Sequence, residues 1–245
     1  MKMIAFASRN FKEIIRDKLN ICFGIGFPVI LLLLLSLIQS NIPIPIFEIS
    51  TLAPGIAIFG LSFFSLFSGM LIAKDRTTSF IDRLFTSPMT ESDFIMGYAL
   101  PILPIAIFQM LFCYIFSIFL GLKISLNIFL AILVSIPCAV IFIALGLLCG
   151  SLLSDKSVGG VCGALLTNIT AWLSGTWFDL NLVGKGFKFV ADLLPFSHGV
   201  NAARAAISGN YSGLFKDLLW TIGYAIVLMI ISIIVFKRKM NSNRK

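Results

Sequence analysis

Lys74-Asp-Arg-Thr-Thr-Ser-Phe-Ile-Asp-Arg-Leu-Phe-Thr-Ser-Pro-Met-Thr-Glu-Ser-Asp93 carries three basic and four acidic side chains. It stands between two stretches, residues 49–73 and 94–122, that contain no Asp, Glu, Lys or Arg. Each flank is long enough to cross a bilayer, which takes roughly 20 apolar residues as a helix. A tight turn would join two such spans. Twenty residues of amphipathic sequence imply instead a segment that works in water.

Outward from this island the whole chain has the same character. Of 245 residues, 58% are hydrophobic and only 12% charged, and the mean hydropathy is +1.01. Soluble domains run at about 25% charged. The composition excludes an ordinary soluble domain and points to an all-α integral membrane protein, residues 1–245 forming a single transmembrane domain.

The net charge of +8 does not point to nucleic acid. Ten of the nineteen Lys and Arg residues lie in the first 18 and last nine positions, beside apolar segments. Basic residues there set orientation and meet anionic lipid headgroups. Cys22, Cys113, Cys138, Cys149 and Cys162 all lie in apolar runs without metal-site spacing, and read as buried free thiols. No cleavable signal peptide is expected, because the start is charged and the apolar run after it is too long.

Residues 1–20 alternate apolar Ile4, Phe6, Phe11, Ile14 and Ile15 with Arg9, Lys12, Arg16 and Lys18, the pattern of a helix lying in the membrane interface. Six spans are expected, at about 21–39, 53–73, 94–120, 126–153, 158–178 and 217–236. Prolines break the loop 41–48. Pro101 and Pro104 interrupt the third span and predict a kink there. Residues 179–216 form a long connection in which 185–194 and 198–208 have helical, amphipathic spacing and read as outer re-entrant helices before the sixth span. With the N-terminus inside, cytoplasmic segments hold fourteen basic residues and outer ones five. Both termini and the island are therefore expected in the cytoplasm.

Within the island, Phe80, Ile81, Leu84 and Phe85 share one helical face, with Asp75, Asp82 and Arg83 largely on the other. Ser87-Pro88 stops the helix, and Thr90 to Asp93 offer capping oxygens to the next one. A short helix lying on lipid would show the same pattern.

The run from Asp75-Arg76 through Ile81-Asp82-Arg83-Leu84-Phe85 to Ser87-Pro88 resembles the cytoplasmic coupling helix of ABC-2 type transporter permeases. Six spans, an amphipathic start, the long connection before span six and Pro195-Phe-Ser-His-Gly-Val-Asn-Ala-Ala-Arg204 extend the resemblance over nearly the whole chain. Thr77, Thr78 and Ser79 stand where that family usually has an acidic pair and Gly. The resemblance implies a permease half in the bacterial cytoplasmic membrane. Its partners would be a second half, identical or homologous, and two ATPase subunits that carry ATP and Mg. Asp75, Arg76, Phe80 to Phe85, Ser87 and Pro88 would be the surface those ATPases grip.

The chain itself has no phosphate-cradling loop. Its only Gly-Lys pair, Gly184-Lys185, has Asp179 at the required earlier Gly position and Gly186 where Ser or Thr belongs. No cofactor is expected on this chain. Phe59, Phe63 and Phe67 recur at every fourth residue of the second span. They read either as packing or lipid-facing residues or as the wall of a substrate path. The resemblance implies that spans two and five line a dimer axis, which would set Asn168 and Trp172 opposite them. Apart from Asp217 at the very start of the sixth, no expected span carries a charged side chain, which weighs against ion-coupled carriers. An amphipathic or apolar cargo, such as a drug, an antibiotic peptide or a lipid-like compound, fits better, and the resemblance gives export as the direction. The alternatives are an integral membrane lipid-modifying enzyme or a non-catalytic assembly subunit. His198, the one histidine, is expected to cap or pack near Asp192 or Arg204.

Overall fold

The computed structural model describes residues 2–42, 44–78 and 89–242. The segment predicted as the coupling helix, Phe80 to Phe85 with its stop at Ser87-Pro88, lies outside the described residues.

Every regular element among the described residues is helical. Helix α1 is Lys2–Arg16, α2 Lys18–Asn41, α3 Ile49–Thr77, α4 Glu91–Phe119 and α5 Asn127–Leu152. A helical run over 155–173 forms α6. Helix α7 is Lys185–Leu193, α8 Pro195–Ser208 and α9 Leu214–Ser242. Five of these, α2, α3, α4, α5 and α9, are long and apolar enough to cross a membrane. The expected span at 158–178 is not among them. Its helix ends at Leu173, and Asp155, Lys156, Thr167 and Asn168 dilute its apolar character.

Helix α3 is the most enclosed of the five and α9 the least. Leu33 and Leu37 on α2, Phe108 and Leu111 on α4, and Ile226 and Ile230 on α9 are exposed. In a bilayer an apolar belt of this kind is the solvent-facing surface.

The regular helix of α3 is interrupted at Ser62. The hydroxyls of Ser62, Ser65 and Ser68 each donate to the carbonyl three residues back, Phe59, Ser62 and Ser65. Such back-bonding competes with the helical ladder and bends helices. Ser68 also donates to the Ile143 carbonyl of α5 at 3.1 Å. Beside it, a Cβ at Gly146 would strike the Ser65 carbonyl, and one at Gly150 would strike the Gly69 carbonyl. Small residues here let the two backbones touch, the usual way membrane helices associate where lipid removes the hydrophobic drive. Helix α9 joins the same core through Ser232, whose hydroxyl donates to the Ala144 carbonyl at 2.9 Å.

Helix α4 runs from Glu91 to Phe119 with Pro101 and Pro104 inside it. Its start is the expected one. The Thr90 hydroxyl accepts from the Asp93 N–H at 3.2 Å, and the Asp93 carboxylate accepts from the Thr90 N–H at 2.9 Å, a capping box.

The helical spacing read over 185–194 and 198–208 is realised as α7 and α8. Helix α8 packs on α5 by stacking Phe196 on Phe142, with ring centroids 5.5 Å apart. All five cysteines are free thiols, but Cys22 is exposed and Cys149 only half-buried, rather than buried.

Candidate functional site

The island starts at the end of α3 and finishes at the start of α4, and the residues at those two roots are the ones the structure describes. Asp75 is 3% exposed. It accepts from Arg9 on α1 twice, Nη1 to Oδ2 at 2.6 Å and Nη2 to Oδ1 at 3.0 Å, and from the Tyr98 hydroxyl of α4 at 2.9 Å. A fork-on-fork guanidinium–carboxylate pair fixes orientation as well as charge. One carboxylate thus joins the amphipathic helix to both roots of the island.

Arg9 also donates from Nη1 to the Asn10 side-chain oxygen at 2.8 Å and pairs with Glu13 at 2.6 Å. Burial opposes its charge, but the Asp75 bond and the nearby carboxylates outweigh that, and the Arg9 pKa is raised. Asn10 is fully buried and gives its amide to the Gly97 carbonyl at 3.0 Å. Pro101, four residues on, has no N–H to offer that carbonyl. Apolar contacts seal the joint: the Phe6 ring meets Tyr98 edge-on at 4.9 Å and Phe94 at 6.0 Å.

Arg76 turns the other way. Its Nη1 donates to the Gly150 and Leu153 carbonyls at 2.7 and 3.1 Å, where α5 ends. A cation over the last carbonyls of a helix satisfies acceptors that have no helical donor. Asp75 and Arg76, which the sequence groups with the gripped surface, are therefore engaged inside the chain. Phe80, Ile81, Asp82, Arg83, Leu84, Phe85, Ser87 and Pro88 lie outside the described residues.

The phenylalanine row is partly assembled. Phe59 and Phe67 are buried and Phe63 is half-buried. Phe59 meets Phe63 edge-on at 5.8 Å and Trp177 at 5.3 Å. Phe67 instead packs on Phe64 and over Gly24 of α2. Asn168 and Trp172 do not join them. Asn168 is exposed and donates to the Ala164 carbonyl of its own helix at 2.8 Å, and Trp172 is 59% exposed. Within one chain, the tryptophan beside Phe59 is Trp177.

At the opposite end of the bundle, His198 on α8 links α7 and α9. Its Nδ1 lies 2.6 Å from an Asp217 carboxylate oxygen and its Nε2 lies 2.8 Å from the Asp192 carbonyl. Both partners are acceptors, so both ring nitrogens must donate and the ring is held as imidazolium. Burial works against that charge, but the Asp217 bond and then the Asp192 carbonyl outweigh it, and the His198 pKa is raised. Packing near Asp192 was expected from the sequence. Asp217, nineteen residues away on another helix, was not.

A family model described as ABC-2 type transporter matches residues 1–208. The chain belongs to that family. The ABC-2 chain is 26% identical to a putative transport permease ycf38 of Porphyra purpurea, over 95% of its own length and 83% of the relative's. It is 25% identical to the Pyropia yezoensis protein of the same name, over 92% and 82%. It is 22% identical to ABC transporter G family member 20 of Dictyostelium discoideum, over 78% of this chain and 27% of that protein. ABC-2 membership makes the chain a membrane subunit of an ABC transporter, whose ATPase partners the family implies.

Arg9, Asn10 and Tyr98 were not singled out in the sequence as parts of this junction. Arg9 looked like any interfacial base. The available signal was Asn10, a polar residue on the same helical face as Phe6 and Ile14.

Proposed function

We propose that the chain is the permease half of an ATP-driven exporter in the bacterial cytoplasmic membrane. It moves a hydrophobic or amphipathic molecule and works with a second permease half and two ATPase subunits that bind ATP and Mg. In this reading the run 155–173 crosses the membrane as a further span beside the five apolar helices, giving six. Both termini face the cytoplasm, and α7 and α8 dip back from the outer side. The chain contributes no hydrolysis of its own.

The observation that supports this most is the Arg9–Asp75–Tyr98 junction. A segment that only rested on lipid would not need its two roots bolted to each other and to the interfacial helix. A handle would. Residues Phe80 to Pro88 are the gripped surface, with Asp75 and Arg76 anchoring it to α1, α4 and α5 beneath. When the ATPases close, a push on the handle moves these helices as a rigid group, opening the cleft to the outside.

The test is Leu84→Asp with Phe85→Asp in the assembled complex. Transport and cargo-stimulated ATPase activity should both fall to background while the chain still inserts in the membrane. Unchanged stimulation would remove the coupling role from the island.

A further inference from the structure

Where residues 44–51 meet residues 174–182 and the faces of α7 and α8, the fold forms an open cavity of about 690 Å³. Ile46, Phe47, Trp177 and Phe178 give it apolar lining, and Arg204 and Lys188 bring cations to it. Arg204 Nε donates to the Thr51 carbonyl at 3.0 Å, but its Nη2 is enclosed and has no acceptor. No carboxylate lies within ion-pair distance of Arg204 among the described residues. Burial lowers the Arg204 pKa to about 10, with Asp179 partly offsetting it, so the side chain stays cationic at neutral pH. Two carboxylates, Asp179 and Asp192, also line it. Asp179 accepts from the backbone and side-chain amides of Asn181 at 2.9 and 2.6 Å, and Asp192 stands beside the His198 imidazolium.

A buried donor without a partner is costly, and native proteins fill such positions with protein, water or ligand. A cavity with an apolar wall and an under-used guanidinium has the chemistry of one ligand class. We propose that this cavity binds an amphipathic anion, its phosphate or carboxylate on Arg204 and Lys188 and its apolar part along Phe47, Trp177 and Phe178. The proposal narrows the cargo class read above and rests on that reading only for which side of the membrane the cavity faces. The anion has two possible sources, a resident anionic lipid headgroup or a free amphiphile.

The full chain in phosphatidylcholine nanodiscs, without ATPase subunits, is titrated with dodecyl phosphate and with dodecanol. Dodecyl phosphate should bind saturably and dodecanol should not. Arg204→Gln should weaken binding by about tenfold or more, as expected for loss of a charge-assisted bond. Asn201→Trp adds an indole to the cavity from an exposed position on α8 and leaves the Thr51 bond untouched. It should also abolish saturable binding, and it keeps the test decisive if the Arg204 variant does not fold. Equal binding of dodecanol, or wild-type binding by both variants, overturns the proposal. Phosphatidylglycerol in the nanodisc identifies a lipid headgroup as the source if it competes with dodecyl phosphate, and a free amphiphile if it does not. Because no ATPase is present, failure here leaves the coupling reading standing, and failure of coupling leaves this binding standing.

Discussion

Asn10 of α1 donates its amide to the Gly97 carbonyl of α4, the acceptor that Pro101 leaves without a helical donor. The prolyl defect and the side chain that repairs it come from different helices, so the repair fastens one to the other. Asn10→Ala should cost about 1–3 kcal/mol, the penalty for orphaning a buried polar group. Pro101→Ala restores an N–H at the right position, so Asn10→Ala in that background should cost clearly less. Unfolding of the four proteins in detergent measures the cycle, and equal costs in both backgrounds would refute the repair.

The Arg9–Asp75 pair should show strong coupling too, of about 1–2 kcal/mol in an Arg9→Ala, Asp75→Ala cycle. Fully buried pairs lose about 3–5 kcal/mol when one partner goes, and exposed ones give about 0–1. Here Asp75 is enclosed while the Arg9 side chain keeps 36% of its exposure, which places the value between. Arg9→Lys should recover only part of it, since an ammonium cannot bond both carboxylate oxygens in the fork geometry. In the assembled complex, Asp75→Ala should lower transport per ATP hydrolysed more than it lowers ATPase assembly onto the permease. A parallel loss of both would assign Asp75 to folding alone.

His198 gives the chain a pH dependence whose sign follows from its partners. The Asp217 carboxylate on α9 and the Asp192 carbonyl on α7 hold the imidazolium, the Trp220 ring lies 5.4 Å away, and the folded pKa exceeds the ordinary 6.5. Protonation is therefore stabilising. The contribution is fully present below about pH 6.5 and is lost as pH rises through the folded value. Melting temperature from about pH 5 to about pH 9 should decline on the alkaline side in wild type. Asp217→Asn should flatten that decline by removing the carboxylate that favours the charged ring. An alkaline decline of the same size in both would rule out the pair as its source.

The long helices were legible because each rests on one local signal, an unbroken apolar run between charged or proline-rich links. The Thr90 cap was legible for the same reason. What escaped depends on pairs far apart in sequence. Asp75 reads as a surface acid in the island until Arg9 and Tyr98 are brought against it and bury it. Trp172 and Trp177 have similar neighbours, and only the turn after Leu173, with Gly175 at φ +70, decides which one reaches Phe59. The run expected as a span at 158–178 is a separate case, because Asp155, Lys156, Thr167 and Asn168 dilute its apolar character without breaking the helix over 155–173.

Glycine positions offer the sharpest contrast between packing within the chain and contacts outside it. A Cβ at Gly146 meets the Ser65 carbonyl and the Ser68 hydroxyl, and a backbone carbonyl cannot rotate away. Gly146→Ala should therefore push α5 from α3 and cost about 1–3 kcal/mol, in line with other overpacked cores. Gly159 and Gly160 on α6 have nothing within 4 Å of a Cβ. Gly160→Ala should be neutral or slightly stabilising for the isolated chain, because alanine is the better helix former by about 1 kcal/mol. If Gly160→Ala nevertheless abolishes transport while the melting curve is unchanged, that face of α6 contacts another subunit. Thermal unfolding of the two variants beside transport by the assembled complex separates the cases. A destabilised Gly160→Ala monomer would show that the space beside α6 is filled within the chain itself.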